Sequence, residues 1–118
     1  MPRTSGGAFT FMITGNAVVG TGQAGALVPD AFTISHVKVY SDMLPTVSNL
    51  VVDIMKNGTT IFSTTANRPT VIPAGPKLVN SGIPDVTALA AGDILRVDVI
   101  TVGTVTGGNP LFVTVVLV

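Results

Sequence analysis

The chain has 118 residues, enough for one domain that buries roughly two-thirds of the surface its unfolded form exposes. Hydrophobic residues make up 47% and charged residues only 10%, against roughly 25% in a typical soluble domain, and the net charge is zero. No basic excess is available for phosphate contacts, so nucleic acid is not expected as a partner. With no Cys, one His and no Glu, disulfides, thiolate metal sites, thiol nucleophiles and most catalytic constellations cannot be built.

Val and Thr dominate, both stiff at χ1 and suited to a pleated surface, and no stretch has a helical period. Gly and Pro punctuate the chain at short intervals, which predicts an all-β, antiparallel, jelly-roll-like sandwich of about eight strands without substantial helix. Met1 to Gly7 reads as a flexible arm and residues 8–118 as one sandwich domain. The arm lacks the long apolar core of a secretion signal.

The first strand is predicted over Ala8 to Thr14, with Phe9, Phe11 and Ile13 on one face and Thr10 and Thr14 on the other. Ala17 to Val19 extend it, and Gly20 to Gly25 form a loop. Ala31 to Tyr40 is the next strand. Its apolar phase changes between Phe32/Ile34 and Val37/Val39, which a bulge near Ser35-His36 reconciles. Ser41 to Ser48 is a loop. Leu50 to Ser63 reads as a hairpin around Asn57-Gly58, because both turn residues must take φ > 0. Its register sets Lys56 against Thr59, Ile54 against Ile61 and Val52 against Ser63, with Leu50, Val52, Ile54 and Ile61 buried.

Arg68 to Ile72 is a short strand, Pro73 to Gly82 a loop, and Ala90 to Asp93 a turn into the strand Ile94 to Val102. There Leu95, Val97 and Val99 face inward, Arg96 and Asp98 outward to solvent. The last strand, Leu111 to Val118, is apolar on both faces: Leu111, Val113, Val115 and Leu117 on one, Phe112, Val116 and Val118 on the other. Apolar faces need cover, and a subunit interface is the expected one. The uncharged tail from Val99 is long enough to span a bilayer, but Thr101, Gly103, Gly107, Gly108, Asn109 and Pro110 interrupt it, so no membrane is expected.

The chemical motifs reduce to structural ones. Gly20-Thr21-Gly22-Gln23-Ala24-Gly25 spells a dinucleotide fingerprint with Asp42 beyond it, but Leu27-Val28-Pro29 follow and no helix can start there to hold a pyrophosphate. His36 with Ser35 and either Asp42 or Asp53 would make a triad, yet nothing places a nucleophile on a strained elbow. The six Asp are not spaced as a calcium loop, and Asp93 and Asp98 read as a turn residue and a solvent-facing one rather than paired catalytic carboxylates. Asn57-Gly58-Thr59 is formally a glycosylation acceptor that the hairpin turn explains. No catalytic residue, metal or cofactor is expected. Arg68, extended by the following Pro69, is a candidate contact anchor, with Pro2, Arg3 and Thr4 of the arm.

Leu50 to Phe62 with its Lys56-Asn57-Gly58-Thr59-Thr60 turn, then Asn67-Arg68-Pro69, then Pro84-Asp85-Val86-Thr87-Ala88-Leu89-Ala90-Ala91-Gly92-Asp93 leading into Val99, resembles small β domains of tailed-bacteriophage structural proteins. The resemblance covers residues 31 to 118. The Leu89 to Val97 turn-and-strand unit is also similar to jelly-roll domains of the tumour-necrosis-factor and complement-like class, which often trimerise. The phage resemblance implies a virion protein without catalytic residues: a capsid decoration (cement) subunit on the major capsid protein, or alternatively a tail-associated or carbohydrate-binding module. It implies a place on the capsid surface, reached from the host cytoplasm during assembly. Leu111 to Val118 is then the self-association strand, of a homotrimer first and a dimer second.

Overall fold

The computed structural model describes residues 7–14, 18–102 and 108–118, the first two of the last span by backbone alone. Pro2, Arg3 and Thr4 lie outside the described residues. The strands are β1 (Gly7–Ile13), β2 (Gly20–Leu27), β3 (Phe32–Met43), β4 (Leu50–Lys56), β5 (Thr59–Thr60), β6 (Thr70–Val71), β7 (Leu78–Asn80), β8 (Ala88–Leu89), β9 (Ile94–Val102) and β10 (Gly108–Leu117). They form two antiparallel sheets packed face to face. One has the order β1-β10-β3-β7, with β8 also on β3; the other has β2-β9-β4-β5, with β6 also on β4. With β5/β6 and β7/β8 each counted as one interrupted strand, eight strands alternate between the sheets except at the β4–β5 hairpin, which stays in the second, an order consistent with a jelly roll.

The interior is made by alternation. Phe11 and Ile13 of β1, Leu111, Val113, Val115 and Leu117 of β10, and Ile34, Val37 and Val39 of β3 fill the inner face of the first sheet. Leu50, Val52 and Ile54 of β4 and Leu95, Val97 and Val99 of β9 fill that of the second. Ile34 and Val37 both point inward because Val116 pairs with His36 and Leu117 with Ile34, leaving Ser35 as the bulge the phase change requires.

The turn at Asn57-Gly58 has φ of 51° and 86°, and Lys56 pairs with Thr59. The hairpin ends sooner than its sequence pattern suggests. After the Ile61 N–H reaches the Ile54 carbonyl, the chain leaves β4 through a single 3-10 turn at Thr65–Asn67 and returns as β6. Val52 therefore does not meet Ser63; its N–H donates to the Pro69 carbonyl. Ile61 and Phe62 drop into the core on the way.

Three stretches expected as loops supply strand residues, and in the Ser41 to Ser48 loop Ser41, Asp42 and Met43 prolong β3. Gly20 to Gly25 belongs to β2, bulged between Gly20 and Ala24 with Gly22 at φ 64°. Leu78–Asn80 adds to β3 despite the flanking prolines and glycines. Conversely, β1 stops at Ile13, neither Val18 nor Val19 continues it, and Gly7 belongs to β1 rather than to an arm.

Candidate interaction surface

β10 lies in the middle of its sheet, between β1 and β3. Its inner row (Leu111, Val113, Val115, Leu117) is buried in the protomer's own core, which corrects the assignment of those four residues to a subunit interface. Two apolar faces needed two covers, and the opposite sheet supplies one of them. The outer row remains: Phe112 and Val116 are half-buried and Val118 is 67% exposed.

Cross-strand registry extends that row across the sheet. Met12, Phe112, Tyr40 and Leu78 stand side by side on β1, β10, β3 and β7. Met12 and Leu78 are 55% and 54% exposed. The Tyr40 and Phe112 rings lie 6.2 Å apart at 44°. The next row is polar, Thr10, Thr114, Lys38 and Asn80, with Thr10 and Thr114 hydroxyls 3.1 Å apart. Beyond it come Ala8, Val116 and His36. The Tyr40 hydroxyl donates to Asp42 at 3.1 Å, and that bond raises the tyrosine pKa. This face is an apolar stripe of four large side chains beside a band that carries Lys38 and His36.

Phe112 and Val116 lie where the alternation of the last strand expects them, whereas Met12, Tyr40 and Leu78 join them only through the cross-strand register. Met12 was legible as the residue sharing a face with Thr10. Leu78 was not, because β7 hides in a stretch of turn residues.

Arg68 is elsewhere and is occupied. Its Nη2 lies 2.9 Å from Asp53 Oδ2 on the outer side of the second sheet. Asp53 is fully buried there, and also accepts from the Ile54 N–H and the Thr60 hydroxyl. The Thr60 oxygen in turn accepts from the Phe62 N–H. This cluster fixes the excursion between β5 and β6, so the contact-anchor candidate Arg68 is engaged within its own protomer, its side chain one-fifth exposed.

Asp98 stands opposite Asp53 and is 1% exposed, not solvent-facing. It takes Arg96 through Nε and Nη2 at 2.9 and 3.1 Å, and accepts the Gly22 N–H at 2.8 Å. Hydrogen bonding to Asp98 pushes the Arg96 pKa up. The glycines of β2 thus bring backbone onto a carboxylate rather than onto a phosphate.

Ser35 and His36 contact each other, Oγ to Nδ1 at 2.9 Å. Asp42 is held by Tyr40 and Asp53 belongs to the other sheet, so no Ser/His/Asp arrangement forms among the described residues. Nor do three or more metal-ligating side chains gather there. A shallow depression of about 380 Å³ beside Phe32, Leu89 and Val118 offers only Thr33 as a polar side chain. No described helix is long and apolar enough to cross a membrane. Comparison with family models, curated proteins and solved structures gives no match.

Proposed function

We propose that this protein is a structural virion subunit, a capsid decoration protein that binds the assembled head lattice and stabilises it. The observation that carries the reading is the Met12–Phe112–Tyr40–Leu78 stripe on the outside of a sheet whose inner face is already filled. Contiguous exposed apolar side chains rimmed by polar ones mark contact surfaces. The resemblance of Leu50–Phe62 and Pro84–Val99 to phage β domains supports the virion setting. The partner is the major capsid protein, and the action is passive: a subunit that binds only the assembled shell stabilises it by mass action. The mechanism has no catalytic step and no cofactor.

A second reading, a tail-associated carbohydrate-binding module, draws on the half-exposed Tyr40–Phe112 pair beside Asp42. Aromatic faces with a nearby carboxylate suit a sugar ring and its hydroxyls. One experiment separates the two. Purified protein is mixed with shells assembled from the major capsid protein of the same virus and, in parallel, with polysaccharide from the host envelope. Decoration predicts saturable occupancy in a fixed ratio to the shell protein and no retention on polysaccharide. The reverse pattern favours the sugar module, and binding to neither overturns both.

A further inference from the structure

A β-sheet edge is a row of unpaired backbone donors and acceptors, and native proteins blunt it with bulges, charges, proline or brevity. Three edges of this sandwich are blunted. β2 carries the bulge between Gly20 and Ala24, with Arg96 packed against Gly22. β5 and β6 are two residues each, separated by the excursion that Arg68 ties down. β7 has three residues and β8 two. The fourth edge, β1, is not protected. It runs seven residues in unbroken register with β10, from Gly7↔Leu117 to Ile13↔Leu111. It holds no charge and no proline, and among the described residues it pairs with β10 alone.

We propose that β1 is a self-pairing edge: two copies add their β1 strands to each other, antiparallel about a two-fold axis at Thr10, and join their five-stranded sheets into one. The occupant is a second copy because the strand complements itself. About Thr10, Gly7 faces Ile13 of the other copy, Ala8 faces Met12, Phe9 faces Phe11, and Thr10 faces Thr10. On the outer side the small Ala8 sits beside the large, exposed Met12. On the inner side Phe9, which packs edge-on against Phe32 at 5.8 Å yet stays half-buried, gains a second aromatic neighbour. An uncharged strand meets its twin without like-charge repulsion, and offers no ion pair to a charged partner. Such an isologous contact closes at two subunits. The axis stands perpendicular to the sheet, so both outer stripes come to lie on one side. The inference concerns self-association alone, and does not depend on what the joined face binds.

Because the chain lacks cysteine, Thr10→Cys introduces a sole thiol at the predicted axis. Mild oxidation is expected to give a disulfide-linked dimer on a non-reducing gel, while Thr21→Cys, exposed on β2, stays monomeric. Sedimentation equilibrium of the unmodified protein is expected to give a dimer. Thr10→Lys, which sets two ammonium groups face to face, is expected to weaken it at least about tenfold with an unchanged circular dichroism spectrum. A wild-type monomer at the highest soluble concentration, a trimer, a Thr10→Cys chain that cross-links no better than Thr21→Cys, or a Thr10→Lys chain that dimerises as before would each overturn the proposal. Should Thr10→Lys fail to fold, the cysteine pair decides alone. Failure here leaves shell binding untouched, and failure of shell binding leaves the dimer measurable.

Discussion

Asp53 and Asp98 face each other across the β4–β9 ladder, both buried, each held by a different arginine. Directly opposed residues on one face have Cβ atoms about 5 Å apart, where like charges repel. Arg68 on Asp53 and Arg96 on Asp98 offset that repulsion, and the Gly22 N–H adds a dipole to Asp98. In a chain with only six cations and six anions, four charged groups are gathered here.

Removing one partner of a buried pair leaves an uncompensated charge. Arg68→Ala is expected to lower the unfolding free energy by about 3 kcal/mol in urea titration. Changing both partners, Asp53→Asn with Arg68→Met, is expected to cost less than Arg68→Ala alone. A loss no larger than about 0.5 kcal/mol for Arg68→Ala, the range of an ordinary surface change, would show that the cluster does not hold the β5–β6 excursion.

Asn57 does more than form a turn. Its side-chain nitrogen donates to Asp93 and its oxygen accepts the Ile94 N–H, clamping the hairpin tip to the turn before β9. Its φ of 51° is one that alanine adopts poorly. Asn57→Ala is expected to cost about 2 kcal/mol, summing lost hydrogen bonds and left-handed strain. Thermal unfolding measures it, and an unchanged midpoint would count against the clamp.

Val47 presents the opposite case. It is β-branched, at φ 71°, and 84% exposed. Asn tolerates that conformation better, so Val47→Asn is expected to stabilise by about 1 kcal/mol. Destabilisation in the same assay would mean that the Val47 side chain makes a contact its exposure does not reveal.

Acid should loosen two turns. The Thr64 N–H and hydroxyl lower the Asp85 pKa below the usual 3.8, and the Ala90 N–H, Asn57 and Lys56 lower that of Asp93. A depressed folded-state pKa contributes stability that is complete above the unfolded value and is lost as pH falls through the folded one. The melting temperature is therefore expected to decline below about pH 4, and less steeply in Asp85→Asn and Asp93→Asn, which start lower. Parallel curves for wild type and both variants would refute the assignment.

Much of the fold was legible because its signals are local. The Asn57-Gly58 turn, the phase change at Ser35 and the alternation of Ile94–Val102 each report backbone geometry through adjacent residues. What escaped depends on distant partners. Gly20–Gly25 looks like a loop until Asp98 and Arg96 are brought beside it. Leu78–Asn80 is too short to carry a period and becomes a strand only by pairing with β3. Asp98 alternates outward as expected, but its burial needs Gly22 and Arg96. The last strand is apolar on both faces, as its residue pattern shows. Its inner cover is the protomer itself, a distinction that requires knowing that β10 is central.

Met12→Ser with Leu78→Ser strips the two exposed ends of the outer stripe proposed as the assembly contact. Both side chains are more than half exposed, so the doubly substituted chain should melt close to wild type. Its occupancy of shells from the major capsid protein is then measured by co-sedimentation. Wild type is expected to saturate the shells while the substituted, folded chain leaves them largely bare. Equal occupancy by the two would contradict the proposed contact.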